Sequence, residues 1–210
     1  MKKFIIVHDG KKDSSKMADQ LNAMISQLEV VTTTPWSEKQ YLNNKPTLSS
    51  EEYLVFLGKT KTGQNISDAP SFKNYYSEFN MHYGWLGKQA VIGLEPKFGF
   101  DEENIKKFSD LYNATIKREN ENNAKEKKTK GKLSEVVSKV GEKIQDLPTA
   151  GKIAVGVGGV LLTPVVVAVT AETFLKKGDI DKTKLNKYAN DLLLKKFVDE
   201  GLKEFLNIKE

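Results

Sequence analysis

Three short apolar runs restrict what this chain can fold into. Phe4-Ile5-Ile6-Val7, Tyr53-Leu54-Val55-Phe56-Leu57 and the stretch from Gln89 to Leu94 are nearly continuous rather than alternating. A strand without apolar–polar alternation has both faces covered, as inside a parallel sheet. Helical spacing lies between the runs: Met17, Leu21, Met24, Ile25 and Leu28 recur at helical steps, with Asp13 or Ser14 placed to cap them. Leu28 to Thr33 reads as another strand, and Thr34 to Ser50 as loop with one helical turn near Ser37 to Leu42. A polar loop is expected as far as Asp68, then a helix from about Pro70 to Tyr83 with proline near its first turn. Tyr83 and Trp85 are expected in the core, and Asp101 starts a helix reaching about Arg118.

Strands alternating with helices imply right-handed crossovers and a doubly wound α/β fold. The expected strands, 3–8, 28–33, 53–58 and 89–94, are mutually parallel with the first interior. Ligands of such sheets bind at the carboxyl ends of the strands. Those ends are His8 to Lys12, Thr34 to Trp36, and Gly58 to Asn65.

The net charge of +5 comes mostly from one stretch. Residues 117–132 hold seven basic side chains against three acidic ones and no aromatic. A nucleic-acid surface interleaves aromatics with its cations, so this stretch reads as a solvated linker, with acidic lipid headgroups as the other partner it suits. No nucleic-acid partner is expected. The absence of cysteine excludes disulfides and thiolate catalysis. Two separate histidines do not make a metal site, and no cofactor is expected. The apolar run behind Met1-Lys2-Lys3 is four residues long, too short for a secretory leader, so a cytoplasmic location is expected.

The tail has its own pattern. Leu133, Val136, Val137, Val140, Ile144 and Leu147 line one helix face, which Pro148 ends. Ile153 to Ala171 then gives 19 residues without a charge. As a helix that run spans about 28 Å, close to the roughly 30 Å of a bilayer core. Gly156, Gly158, Gly159 and Pro164 suit a membrane helix, and small residues along one face suit self-association. The alternative is a central helix buried by its amphipathic neighbours, since equally basic flanks give no orientation. Those glycines follow no strand–turn context and are not a dinucleotide fingerprint. Asp181 to Ile208 reads as an amphipathic helix, or two broken near Gly201. The expected division is therefore 1–118 as the α/β domain, 119–132 as linker, and 133–210 as a helical region containing the apolar segment 153–171.

The order of the boxes in the first half resembles a bacterial TIR-like (Toll/interleukin receptor-like) domain. The opening Phe4-Ile5-Ile6-Val7-His8-Asp9-Gly10-Lys11-Lys12-Asp13 is similar to that family's first box. Tyr53 to Thr60 resembles its third strand, Tyr75-Tyr76-Ser77-Glu78-Phe79 its aromatic–glutamate helix, and Gly87 to Gly93 its next strand. The resemblance implies cleavage of the nicotinamide–ribose bond of NAD, or cyclisation of the product, in bacterial stress or phage defence. It places Glu78 as the catalytic carboxylate, which would stabilise the cationic ribose of the transition state. Around a bound nucleotide it sets His8, Asp9, Asp13, Trp36, Gly58 and Tyr75. Four of them have another reading: Asp9 and Asp13 as turn-former and helix cap, His8 as a loop residue, Trp36 as an assembly contact. The other function class is a non-catalytic interaction protein whose sheet binds a partner or nucleotide, and whose tail enters a membrane or oligomerises.

Overall fold

The computed structural model describes residues 2–28, 30–94, 101–141, 168–177 and 179–202. Strand β1 (Lys3–His8) leads into helix α1 (Lys12–Ser26), then two short strands, β2 (Val31–Thr32) and β3 (Trp36–Ser37). Helix α2 (Glu38–Asn44), strand β4 (Glu52–Leu57) and helix α3 (Lys61–Ser67) follow. Next come strands β5 (Lys73–Glu78), β6 (Met81–Leu86) and β7 (Gln89–Gly93), and helix α4 (Glu102–Gly141). After a 3₁₀ turn at Ala171–Phe174, strands β8 (Leu175–Lys176) and β9 (Asp179–Ile180) form a small hairpin. Helix α5 (Lys182–Lys196) then runs into a π-helical turn at Phe197–Leu202.

The main sheet has the order β2-β1-β4-β7-β6-β5, with β3 also pairing β1. β2, β3 and β4 run parallel to β1, and β7 runs parallel to β4, as the continuous apolar runs require. The chain leaves β1 towards β2 and returns on the other side as β4. The topological switch point therefore lies between β1 and β4.

The helix expected from Pro70 to Tyr83 is not formed. That segment is the β5–β6 hairpin, antiparallel within itself and to β7, so the sheet is mixed. The polar stretch before it is not all loop: α3 occupies it, capped by Thr60, whose hydroxyl accepts from the Gly63 amide at 2.9 Å. The turn expected near Ser37 is a full helix, fixed by a capping box between Ser37 and Gln40.

Side chains alternate across the sheet. On one face Ile5, Val7, Leu54, Phe56 and Val91 form a core with Ile66 of α3, edged by Trp36, Tyr41 and Phe72. On the other face Phe4 stacks on Tyr53 at 5.2 Å, and Tyr83 and Trp85 meet Phe197 at 5.6 and 5.9 Å. Tyr83 and Trp85 are thus core, as expected. Asp191 of α5 ties this face together, accepting from Gln20 of α1 and Tyr112 of α4.

The chain divides differently from the expected scheme. Met1–Tyr112 and the chain from Thr170 onward form one compact unit, and Asn113–Val169 the other. In the second unit the Asn113 amide donates to the Val169 carbonyl and accepts from its N–H, at 2.8 and 2.9 Å. The basic stretch 117–132 is helical, part of α4, rather than a linker. Residues 153–167 of the apolar segment lie outside the described residues. Among the described residues, no helix is long and apolar enough to cross a membrane.

Candidate functional site

Two loops meet at the switch point, one after β1 and one after β4, and Asp9 joins them. One carboxylate oxygen accepts from the Lys11 amide at 3.0 Å and from the Ser14 hydroxyl. The other accepts from the Lys59 amide at 3.3 Å, with the Lys11 ammonium 3.9 Å away. Burial pushes the Asp9 carboxyl up, but these donors outweigh it and hold the group below its ordinary value. The carboxylate is therefore ionised and largely used in holding the two loops together.

A second carboxylate does the same for the neighbouring helix. Glu38, in the first turn of α2, accepts the Thr62 amide at 2.9 Å. With Thr60 it satisfies two of the amides that the start of α3 leaves open. The carboxylates of Asp9 and Glu38 thus already stand where these helix starts favour negative charge.

His8 is buried at the end of β1, and its Nδ1 accepts the Gly10 amide at 3.1 Å. With Nδ1 taken up by that bond, Nε2 is the nitrogen left to face a ligand. Lys11 and Lys59 flank Asp9 on the outside, and Lys12 and Lys61 begin the two helices beside it. Trp36 is half-buried at the start of β3, against the core.

The expected site residues are only partly brought together. His8, Asp9 and Gly58 gather at the switch point, and Trp36 opens the adjoining strand β3, where it pairs with Val7 of β1. Asp13 is exposed in the first turn of α1 and is not its cap; Lys11 takes that position without a side-chain bond. Ser14 does not cap either: its hydroxyl donates to Asp9 and to the Lys11 carbonyl. Tyr75 is 48% exposed on β5. Glu78 is the main correction. It sits on the edge strand β5 instead of a helix, is exposed, and lies three strand positions from β4, about 14 Å across the sheet. Its charge acts on the Tyr76 phenol, which burial, then Glu78, Glu200 and Tyr83, push up.

Sequence reading missed Glu38, Lys59 and Thr60. Thr60 was legible as a helix cap three residues before Gly63; Glu38 and Lys59 act through partners 24 and 50 residues away. Comparison of the chain with protein families, with curated proteins and with solved structures finds no match.

Proposed function

We propose that this chain is a nucleotide-binding interaction protein with a TIR-like α/β unit, one that holds its ligand without cleaving it. The observation that carries the reading is how the acids at the switch point are used. Asp9 and Glu38 both hold backbone amides, and Glu78 stands on the far edge strand. Glycosidic cleavage needs a carboxylate free to face the ribose as positive charge builds. None of these three is so placed.

Binding has better support. The crevice outside the carboxyl ends of β1 and β4 is where doubly wound sheets take ligands. Lys11, Lys12, Lys59 and Lys61 rim it, so the phosphates of a nucleotide would lie against lysine ammoniums at its outer edge. Trp36 offers an aromatic edge beside them. NAD and ADP are the probes. Calorimetric titration into the full chain should give saturable binding that Lys11→Glu with Lys59→Glu abolishes. Incubation with NAD should release no nicotinamide; its release would overturn the non-catalytic reading.

A further inference from the structure

Among the described residues, the main sheet ends on β5, a strand of six residues, whereas the opposite edge, β2, has two. Lys73, Asn74, Tyr75, Ser77 and Glu78 of β5 are exposed. A long exposed edge presents backbone donors and acceptors to any strand that comes alongside. The pattern of β5 selects which strand fits.

Side chains paired across an antiparallel ladder share a face of the sheet. Lys73 pairs with Trp85, Tyr76 with Tyr83 and Glu78 with Met81, so these three lie on one face. Asn74 and Ser77, opposite Gly84 and His82, lie on the other. In a regular strand, residues an odd number of positions apart point to opposite faces. Lys73 and Glu78 share a face because the register shifts between Asn74 and Tyr76, where Tyr75 is the extra residue of a bulge.

That bulge decides the symmetry β5 can adopt. Two copies joined edge to edge and antiparallel are related by a two-fold axis perpendicular to the sheet, which keeps every side chain on its own face. Only residues that share a face can then stand opposite one another. The register that overlaps all six residues of β5 sets Lys73 opposite Glu78 of the second copy, Asn74 opposite its Ser77 and Tyr75 opposite its Tyr76. In an unbulged strand that register would oppose side chains from different faces. Here Lys73 and Glu78 match in face and in charge, and Asn74 and Ser77 match in face. Edge lysines discourage pairing with another chain, but the glutamate at the far end of β5 supplies the opposite charge.

We propose that β5 pairs antiparallel with β5 of a second copy of this chain about a two-fold axis, continuing the main sheet across both copies. The pairing does not depend on nucleotide binding. Two exposed ion pairs and a six-residue ladder make it a weak, reversible association that salt loosens.

Sedimentation velocity of the full chain over a concentration series should show a monomer–dimer equilibrium. Lys73→Glu brings acid against acid at both ends of the ladder, and Glu78→Lys brings ammonium against ammonium. Each should weaken the dimer about tenfold or more. Mixing the two variants should restore association, because each carries the charge that the other lacks. Both positions are exposed, so both variants should melt with the unmodified chain. A monomer at every concentration overturns the proposal and leaves the edge to an extended segment of another protein. A dimer that neither variant weakens, or that the mixture fails to restore, overturns it as well, since its interface then lies elsewhere.

Discussion

Asp9 and His82 shift in the same direction for different reasons, and the acid limb of stability follows from both. For Asp9, burial works against the charge, but the Ser14 hydroxyl, the Lys11 and Lys59 amides and the Lys11 ammonium prevail, so the folded pKa is depressed. For His82, burial alone depresses it. In each case the unfolded chain takes up the proton first as pH falls, so each group's contribution is present above its unfolded pKa and lost below it. Urea unfolding across pH should show a first loss starting near about pH 6.5 from His82 and a second below about pH 4 from Asp9. His82→Phe should remove the first. Asp9→Asn should reduce the second and cost about 2 kcal/mol at neutral pH, because two amides and a hydroxyl lose a charged acceptor. An Asp9→Asn protein with unchanged stability and pH profile would show that the two loops hold without this carboxylate. Asp9 was legible as a turn aspartate after a buried strand, but its Lys59 partner was not. The placing of His82 was hidden for a similar reason, since register across strands leaves no trace in local sequence.

At the scale of elements, the parallel strands were readable because both of their faces are buried. The hairpin was not, because β5 is an edge strand. Its Lys73, Tyr75 and Ser77, like Asn74 and Glu78, are exposed, so polar residues occupy both faces and no alternation appears. Pro70 and the aromatic spacing then imitate a helix start. The signal that was present lies in β6, where Met81, Tyr83 and Trp85 are buried at a period of two. The turn itself places Phe79 and Asn80 at φ 52° and 57°, left-handed at both positions, as a tight hairpin requires. Asparagine tolerates that conformation, whereas Phe79 is held there with its ring 6.0 Å from that of Phe108. Asn80→Ala should therefore lower stability by about 1 kcal/mol and Asn80→Gly should not, as read by thermal melting. Equal melting temperatures for the two would mean the turn is not strained. Helix α2 gives a second check at this scale, since Ser37→Ala removes half of its capping box and should cost about 1 kcal/mol.

At the scale of the whole molecule, the last described helix returns to the main sheet. An amphipathic pattern shows that a helix has an apolar face but not what covers it, so a separate helical tail was expected where α5 instead packs on β6. Leu185, Ala189, Leu192, Leu193, Leu194 and Phe197 are fully buried, with Phe197 against Tyr83 and Trp85 of β6. Lys196 is buried among them, its ammonium 3.2 Å from Glu200 and 4.9 Å from the centre of the Tyr76 ring. Burying an ammonium is costly, and one carboxylate with one aromatic face offsets that cost only in part. Removing the charge altogether should therefore be tolerated, whereas removing its partner should not. Lys196→Met, which keeps the length and apolar stem, should leave urea stability unchanged or raise it. Glu200→Gln should lower it by about 2 kcal/mol, less than for a wholly enclosed pair, because the Glu200 side chain is 33% exposed. The double variant should recover most of that loss, since the lone ammonium is then gone. If Lys196→Met proves the more damaging single change, the cation over Tyr76 is a net source of stability, and the return of the tail onto the sheet depends on charge as well as on apolar burial.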